Sequence, residues 1–184
     1  MISDVLKTLM VKTDKKKIKR SLPIAFSHHY NKVNCIIDIF EIEIEKPSKS
    51  VNQALTWSEY KKGNTIKYLI SSTPNGLVNY ISSGYGGRIS DTLLVENCEF
   101  LEQLEPESWV LADRGFKHIE QLLIQKKCHL LRPPSVNQGA KLSKKEAHQT
   151  KQIASLRIFT LRGVLDECVI IACALINLQD PIVY

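Results

Sequence analysis

Two aspartates have the positions expected of carboxylates that do chemistry. Asp38 follows the apolar run Cys35–Ile37, and Asp113 follows the short apolar segment Trp109–Ala112. Because ligands and catalytic groups gather at the ends of neighbouring strands in α/β sheets, the two carboxylates are expected to converge. An oxygen-rich site of this kind suits Mg²⁺ or Mn²⁺. Two such ions can stabilise both the attacking and the leaving oxygens of a phosphodiester displacement, so the pair predicts phosphoryl chemistry.

Each aspartate also has a plainer interpretation, which the pattern alone favours. Asp113 can cap a helix or occupy a turn before Arg114, and Asp38 can be a solvent-facing carboxylate on an edge strand. Strand alternation separates the acidic and apolar residues that follow Asp38. One parity holds Glu41, Glu43 and Glu45, which are expected to face solvent, and the other holds Asp38, Phe40, Ile42 and Ile44. A carboxylate on a buried face needs a partner or a metal, which favours a functional role for Asp38.

Asp91 is a third candidate, placed directly after the segment GYGGRIS. The more economical interpretation is a residue at a helix start, capped by Ser90. The glycines of 84–88 permit backbone conformations that other residues cannot adopt, so the loop can bring Asp91 to a metal if it folds over the sheet. The histidines have no ligand spacing, and no Ser/His/Asp or Cys/His hydrolase pattern is recognisable.

The elements that would position these residues form a mixed α/β sheet with helices on its faces. The patterns predict strands at 38–45, 65–73, 77–82, 109–112 and 128–131. They predict helices at 90–104, 117–127, 144–156 and 166–177. Strict βαβ alternation and a G-x-G-x-x-G turn are absent from the sequence, which argues against a dinucleotide-binding fold.

Composition excludes several classes of protein. The chain has 184 residues, 43% of them apolar, and a formal net charge of +6, which argues against disordered, collagen-like and disulfide-scaffold proteins. Five scattered cysteines without a C-x-x-C pair predict reduced thiols in an intracellular protein. The longest apolar run, Cys168–Ile176, has nine residues and is too short to span a bilayer. No membrane partner and no small-molecule organic cofactor are expected.

The positive charge is concentrated near the start of the chain. Residues 12–20 hold six Lys or Arg and one Asp, and residues 1–22 are expected to form a basic helical extension. A solvated helix face or a frayed terminus explains this segment as well as a nuclear-import signal or a phosphate-binding patch does. The candidate DNA contacts are Lys15, Lys16, Lys17, Lys19 and Arg20.

Several long motifs occur in an order that resembles one family. They are IDIFEIEIEKPS, TWSEYKKGNTIKYLI, ISSGYGGRISD, LADRGF, KEAHQTKQIASLRI and CALINLQDPIV. Together they resemble the DDE-superfamily endonuclease domain of eukaryotic transposases, in the group of Harbinger-like elements and their domesticated relatives. The resemblance runs from about Leu22 to Val183, so residues 23–184 are expected to form the endonuclease-like domain.

The resemblance implies a ribonuclease-H-like fold and a divalent-metal site, with Mg²⁺ or Mn²⁺, that cleaves or joins DNA. It assigns the first catalytic and metal-binding carboxylate to Asp38 and the second to Asp113. Asp91 is implied as a further metal ligand near the site. Localisation in the nucleus is expected from the family and from the basic segment at 15–20.

The third acid is where the sequence departs from the family. The family's final Glu follows IASLRI in a helix of the form R-I-x-x-E-R, and Leu161 has that place if no gap is allowed. With a gap, FTLRGVL matches a strand-like segment that normally follows the helix, which implies an internal loss near 158–166. Either alignment lacks the Glu, so the expected protein is a catalytically impaired endonuclease, incomplete near its C-terminus.

Two alternatives remain at this point. The chain can be a non-catalytic module that binds DNA or protein, with a protein partner that supplies DNA recognition in place of an upstream domain. It can also be an incomplete gene model or a decayed copy of an element, which sequencing the transcript around Ile158 would decide.

Overall fold

A computed structural model describes the backbone of residues 14–27, 29–134 and 143–177, and their side chains except at 159 and 162–177. Within these residues, seven strands form one sheet in the order β2-β3-β1-β6-β7, with β4 and β5 also paired to β3. The strands are β1 (Val33–Glu43), β2 (Trp57–Ser58), β3 (Gly63–Ser72), β4 (Val78–Ile81), β5 (Tyr85–Gly86), β6 (Trp109–Leu111) and β7 (His129–Leu131). β1 is antiparallel to β3 and parallel to β6, which is in turn parallel to β7.

The helices lie mainly between strands and cover the sheet. They are α1 (Lys15–Arg20), α2 (Ile24–Ser27), α3 (Ser50–Thr56), α4 (Asp91–Asn97), α5 (Phe100–Gln103), α6 (Glu120–Gln125) and α7 (Lys144–Asn177), with a 3₁₀ helix at Arg114–Ile119. None of the described helices is long and apolar enough to span a bilayer. The mixed sheet with flanking helices confirms the predicted α/β class and agrees with a ribonuclease-H-like fold.

The sheet has a separate apolar cluster on each face, because successive side chains of a strand point to opposite sides. On β1, Cys35 and Ile37 pack with α4, α5 and the 3₁₀ helix. Ile36 packs on the other face with Phe26 of α2 and with α7. Strand alternation therefore places Asp38, two residues after Ile36, on the α7 face.

The predicted strands are present, although β1 begins at Val33, and several helix boundaries differ. The helix predicted at 90–104 is divided into α4 and α5, because Cys98 has an extended backbone at φ −96° and ψ 158°. The helix predicted at 117–127 begins earlier, as the 3₁₀ helix, and continues as α6. Ser143 and Glu146 form a capping box at the start of α7, since Ser143 N donates to Glu146 Oε2 at 2.9 Å and Glu146 N donates to Ser143 Oγ at 3.2 Å.

The separate helices predicted at 144–156 and 166–177 belong to one continuous helix, α7. The strand-like interpretation of 159–165 is therefore wrong. The segment contains no proline, and a single glycine at 163 lowers helix propensity without ending a helix. Burial of Leu156, Thr160 and Leu161 also continues at helical spacing past the predicted end. The internal loss relative to the family stays a prediction.

The predicted burial of the second half of β1 is also wrong. Phe40 and Ile42 are each 43% exposed, whereas Glu41 is partly buried and accepts a hydrogen bond from Thr65 Oγ1 at 2.6 Å. The apolar cluster on the α7 face includes Ile36 but neither of these two residues. Alternation holds along β1, but the apolar cluster that covers Ile36 does not include its second half.

The glycine loop at 84–88 is used for close packing and not for unusual backbone angles. Its glycines have no positive φ; among the described residues, the one glycine with positive φ is Gly76, at 89°. A Cβ on Gly87 would lie 1.9 Å from Thr65 Oγ1, and one on Gly86 would lie 2.3 Å from the carbonyl oxygen of Leu55. Gly86 and Gly87 are therefore pressed against α3 and β3.

Candidate active site

Asp38 lies in the middle of a central strand, where the chain cannot move it easily. Its Cα is paired with Ile70 of β3, and β6 lies on the other side of β1. The edge-strand interpretation of Asp38 is therefore wrong. The Asp38 side chain is 37% exposed, and its Oδ1 accepts a hydrogen bond from Ile39 N at 3.0 Å. The carboxylate is thus held in a partly buried, polar position on the α7 face.

Asp113 lies just beyond the carboxyl end of β6, the strand next to β1. It is the N-cap of the 3₁₀ helix, and its Oδ1 accepts a hydrogen bond from Arg114 N at 2.6 Å. The capping role proposed as the plain alternative is therefore real. It is combined with a second contact that capping does not explain.

That second contact is Arg157 of α7, which joins the two aspartates. Arg157 Nη2 donates to Asp38 Oδ2 at 2.8 Å, and Nη1 lies 3.1 Å from Asp113 Oδ1. The Arg157 side chain is only 13% exposed. The predicted convergence of Asp38 and Asp113 is therefore present, with a guanidinium between them. The sequence analysis did not include Arg157 among its candidates.

Burial raises the pKa of the Asp38 carboxyl, although the Arg157 charge and the hydrogen bonds from Ile39 and Arg157 act in the opposite direction. The charge of Asp113 adds to the increase in this pKa. A carboxyl with a raised folded-state pKa favours folding in its protonated form. The stability that Asp38 contributes by this shift is complete below the unfolded-state pKa and is lost as pH rises through the folded-state pKa.

The pKa of Asp38 can be measured directly by ¹³C NMR titration of the carboxyl carbons, with Asp38→Asn used to assign the signal. We expect Asp38 to titrate above the ordinary aspartate value of about 3.9. In Arg157→Gln its pKa should rise further, because the opposing charge is removed. An ordinary or lowered value in the unmodified protein would contradict this account of the site.

Leu161 lies one turn after Arg157 on the same side of α7, since residues four apart are neighbours on a helix. It is 7% exposed and belongs to the apolar cluster with Ile36 and Ile153. The continuous course of α7 leaves both alignments open, and Leu161 has the place of the family's final Glu in the one without a gap. Among the described residues, no group of three or more His, Cys, Asp or Glu side chains could hold a metal ion.

Asp91 is not joined to the other two aspartates. It is the first residue of α4, and its Oδ1 lies 3.5 Å from Lys67 Nζ. Lys67 is the register partner of Glu41, whose parity is opposite to that of Asp38, so this ion pair lies on the other face of the sheet. Asp91 still lies close to the 3₁₀ helix, because a Cβ on Gly115 would be 3.6 Å from its Oδ2.

The basic residues of α1 lie at the other end of the sheet. α1 contributes to a cavity that Asn34 and Ser108 also line, whereas Asp38 is four residues further along β1, about 13 Å at the usual strand rise. Lys15 donates to the carbonyl oxygen of Pro106 and lies 3.9 Å from Glu105. The remaining candidates are exposed: Lys16, Lys17, Lys19 and Arg20.

Comparison with protein families matches residues 37–164 to the DDE superfamily endonuclease model. The chain belongs to the DDE superfamily endonucleases. The matched range is more than half of the chain and contains Asp38, Asp113, Arg157 and Leu161. Comparisons with curated proteins and with solved structures found no match.

Membership of the DDE superfamily endonucleases confirms the predicted family and implies DNA as the substrate class. Domains of this type generally use divalent metals. Two carboxylate oxygens that reach one cation have suitable chemistry for Mg²⁺ or Mn²⁺. The described residues fit such an ion in part, since they supply Asp38 and Asp113 and no third acidic side chain.

Proposed function

We propose that the chain is a transposase-derived, divalent-metal-dependent DNA endonuclease domain whose catalytic activity is impaired. The observation that carries the proposal is the α7 face of the site. Two aspartates converge there, and Leu161 is buried one helical turn after Arg157, which joins them. In the alignment without a gap, the family resemblance implies a glutamate at position 161. A site with two carboxylates binds and places metal ions less well than one with three.

In this proposal Asp38 and Asp113 hold the metal. A bound divalent ion would supply the positive charge that phosphodiester displacement requires. The protein positions the carboxylates by two different means. Asp38 is fixed by the register of β1, and Asp113 is fixed as the cap of the 3₁₀ helix.

We expect the unmodified protein to cut supercoiled plasmid DNA no faster than Asp113→Asn does, with either Mg²⁺ or Mn²⁺ present. The physical reason is the missing third carboxylate. Conversion of supercoiled to nicked and linear DNA on agarose gels measures the rate, and circular dichroism verifies that both proteins are folded. Robust cutting that disappears in Asp113→Asn would show that the site is catalytically competent.

The same proposal includes DNA binding by the protein and its localisation in the nucleus. The exposed lysines of α1 would contact phosphates outside the cutting site, and a protein partner would supply sequence recognition. Binding of the protein to the same plasmid, measured at several salt concentrations, tests these contacts. In the double variant Lys16→Ala with Lys19→Ala, the slope of log binding constant against log salt concentration should fall by the equivalent of about two phosphate contacts. The matched control, Lys46→Ala with Lys49→Ala, removes equal charge elsewhere and should leave it unchanged.

A further inference from the structure

The carboxylates of Asp38 and Asp113 already have a cation between them, which is the guanidinium of Arg157. Its two terminal nitrogens contact different carboxylates, Nη2 with Asp38 Oδ2 at 2.8 Å and Nη1 with Asp113 Oδ1 at 3.1 Å. Each contact joins a charged donor to a charged acceptor, and such charge-assisted pairs are stronger than neutral hydrogen bonds. One positive charge is thereby placed between two negative charges.

We propose that Arg157 is the internal counter-ion of this site and that it competes with the divalent ion. It holds Asp38 and Asp113 together without metal, and a metal ion binds both carboxylates only after the guanidinium withdraws. This inference rests on the proposed function, because it takes the two aspartates to be the metal-binding pair. It adds a means of regulating whether that pair can be loaded.

Space and charge both make the two cations mutually exclusive. A divalent ion needs carboxylate oxygens at roughly 2.0–2.1 Å for Mg²⁺. Oδ2 of Asp38 already accepts a hydrogen bond from Arg157, and Oδ1 of Asp113 already forms an ion pair with it. A divalent ion bound through these same oxygens would compete with the guanidinium nitrogens for them. Two cations at such short range also repel each other strongly in a partly buried site.

The surroundings of Arg157 show how the pairing is maintained and why it can be released. The neighbouring helical residues Ile153, Leu156 and Leu161 are packed in the apolar cluster, so the backbone at 157 is fixed. The guanidinium itself is less completely bonded. Its Nε is buried and has no hydrogen-bond partner among the described residues. A buried donor without a partner weakens the pairing, so a competing cation has less to displace.

The test is a calorimetric titration of the full chain with Mn²⁺ alone, at constant pH and ionic strength. Arg157→Gln should bind Mn²⁺ about tenfold more tightly than the unmodified protein, because the competing charge is gone. The matched control is Arg114→Gln, which removes an equal charge beside Asp113 but contacts neither carboxylate through its side chain. Its Mn²⁺ affinity should stay within about twofold of the unmodified protein.

A second variant keeps the inference testable if Arg157→Gln is difficult to purify, and thermal unfolding provides a second readout. Arg157→Lys retains the charge but loses the two-pronged geometry, so its Mn²⁺ affinity should lie between those of the unmodified protein and Arg157→Gln. Without metal, Arg157→Gln should have a lower Tm than the unmodified protein, since two carboxylates then repel each other. Saturating Mn²⁺ should raise the Tm of Arg157→Gln by more than that of the unmodified protein.

The outcomes separate this inference from the proposed function. Equal or weaker Mn²⁺ binding by Arg157→Gln, with measurable binding by the unmodified protein, overturns the counter-ion role and leaves the metal site standing. No Mn²⁺ binding by either protein overturns both. The titration contains no DNA, so plasmid cutting or its absence is judged independently.

Discussion

Replacement of Leu161 by glutamate is expected to destabilise the metal-free protein and to create tight binding of Mn²⁺. Leu161 is 7% exposed within the cluster that includes Ile36 and Ile153, so the change removes apolar contacts and buries a charge. We expect the free energy of unfolding to fall by roughly 3 kcal/mol, toward the lower end of the range for buried charges. The nearby Arg157 guanidinium reduces the loss.

The gain in metal binding follows from helical geometry. A glutamate at 161 is four residues from Arg157 and projects from the same side of α7, which is the side that contacts Asp38. It would give the site a third carboxylate oxygen donor, the kind of ligand that Mg²⁺ and Mn²⁺ prefer. Saturating Mn²⁺ should therefore recover most of the lost stability, since ligands that bind only the folded state stabilise it.

Leu161→Gln is the matched control because it has the shape of glutamate without the charge. It should lose stability as well, and Mn²⁺ should stabilise it no more than it stabilises the unmodified protein. Urea unfolding with and without Mn²⁺ measures both variants. If Leu161→Glu binds Mn²⁺ no more tightly than the unmodified protein does, position 161 does not face the carboxylate pair.

Replacement of Gly87 by alanine is the second change with a large expected effect. The added Cβ would lie 1.9 Å from Thr65 Oγ1 and 2.8 Å from the carbonyl oxygen of Thr56. Gly87 N also donates to the carbonyl oxygen of Thr65 at 2.9 Å, so the loop cannot move away from β3 without loss of this bond. We expect a loss of about 3 kcal/mol, at the upper end of overpacking effects, because one clash is with backbone.

Gly63→Ala provides the comparison for this loss. A Cβ on Gly63 would have its nearest contact at 4.0 Å, with the carbonyl oxygen of Lys61, which leaves ordinary space. Its stability should change by less than about 1 kcal/mol, within the range of glycine-to-alanine effects at compatible positions. Thermal or urea unfolding of both variants decides the matter. Equal stability of the two would show that the loop adjusts freely around Gly87.

The pairing of Asp38 with Asp113 could be predicted because it follows from a general property of sheets. Each residue ends or interrupts an apolar strand, and neighbouring strands bring such positions together. Arg157 could not be predicted in the same way, because the helix that carries it was expected to end at residue 156. A usable signal existed in the sequence: Ile153, Arg157 and Leu161 are spaced by four, which predicts one cation on an otherwise apolar helix face.

Other differences arise from tertiary packing, which local patterns do not contain. The alternation along β1 was predicted correctly, but the exposure of Phe40 and Ile42 depends on how far along the strand the apolar cluster around Ile36 extends. The glycines at 86 and 87 were expected to provide unusual backbone angles. Their role is to allow close approach to α3 and β3, which depends on residues about 20–30 positions away in the chain.

The unbroken course of α7 has a consequence for how this site can change in evolution. Each residue of an α-helix is rotated by about 100° from the one before it. A single-residue insertion or deletion between the start of α7 and position 157 would turn Arg157 and Leu161 away from the carboxylates together. Substitutions can alter the two positions one at a time, whereas a shift in length alters both at once. The rotational phase of α7 thus couples the orientation of Arg157 to that of Leu161.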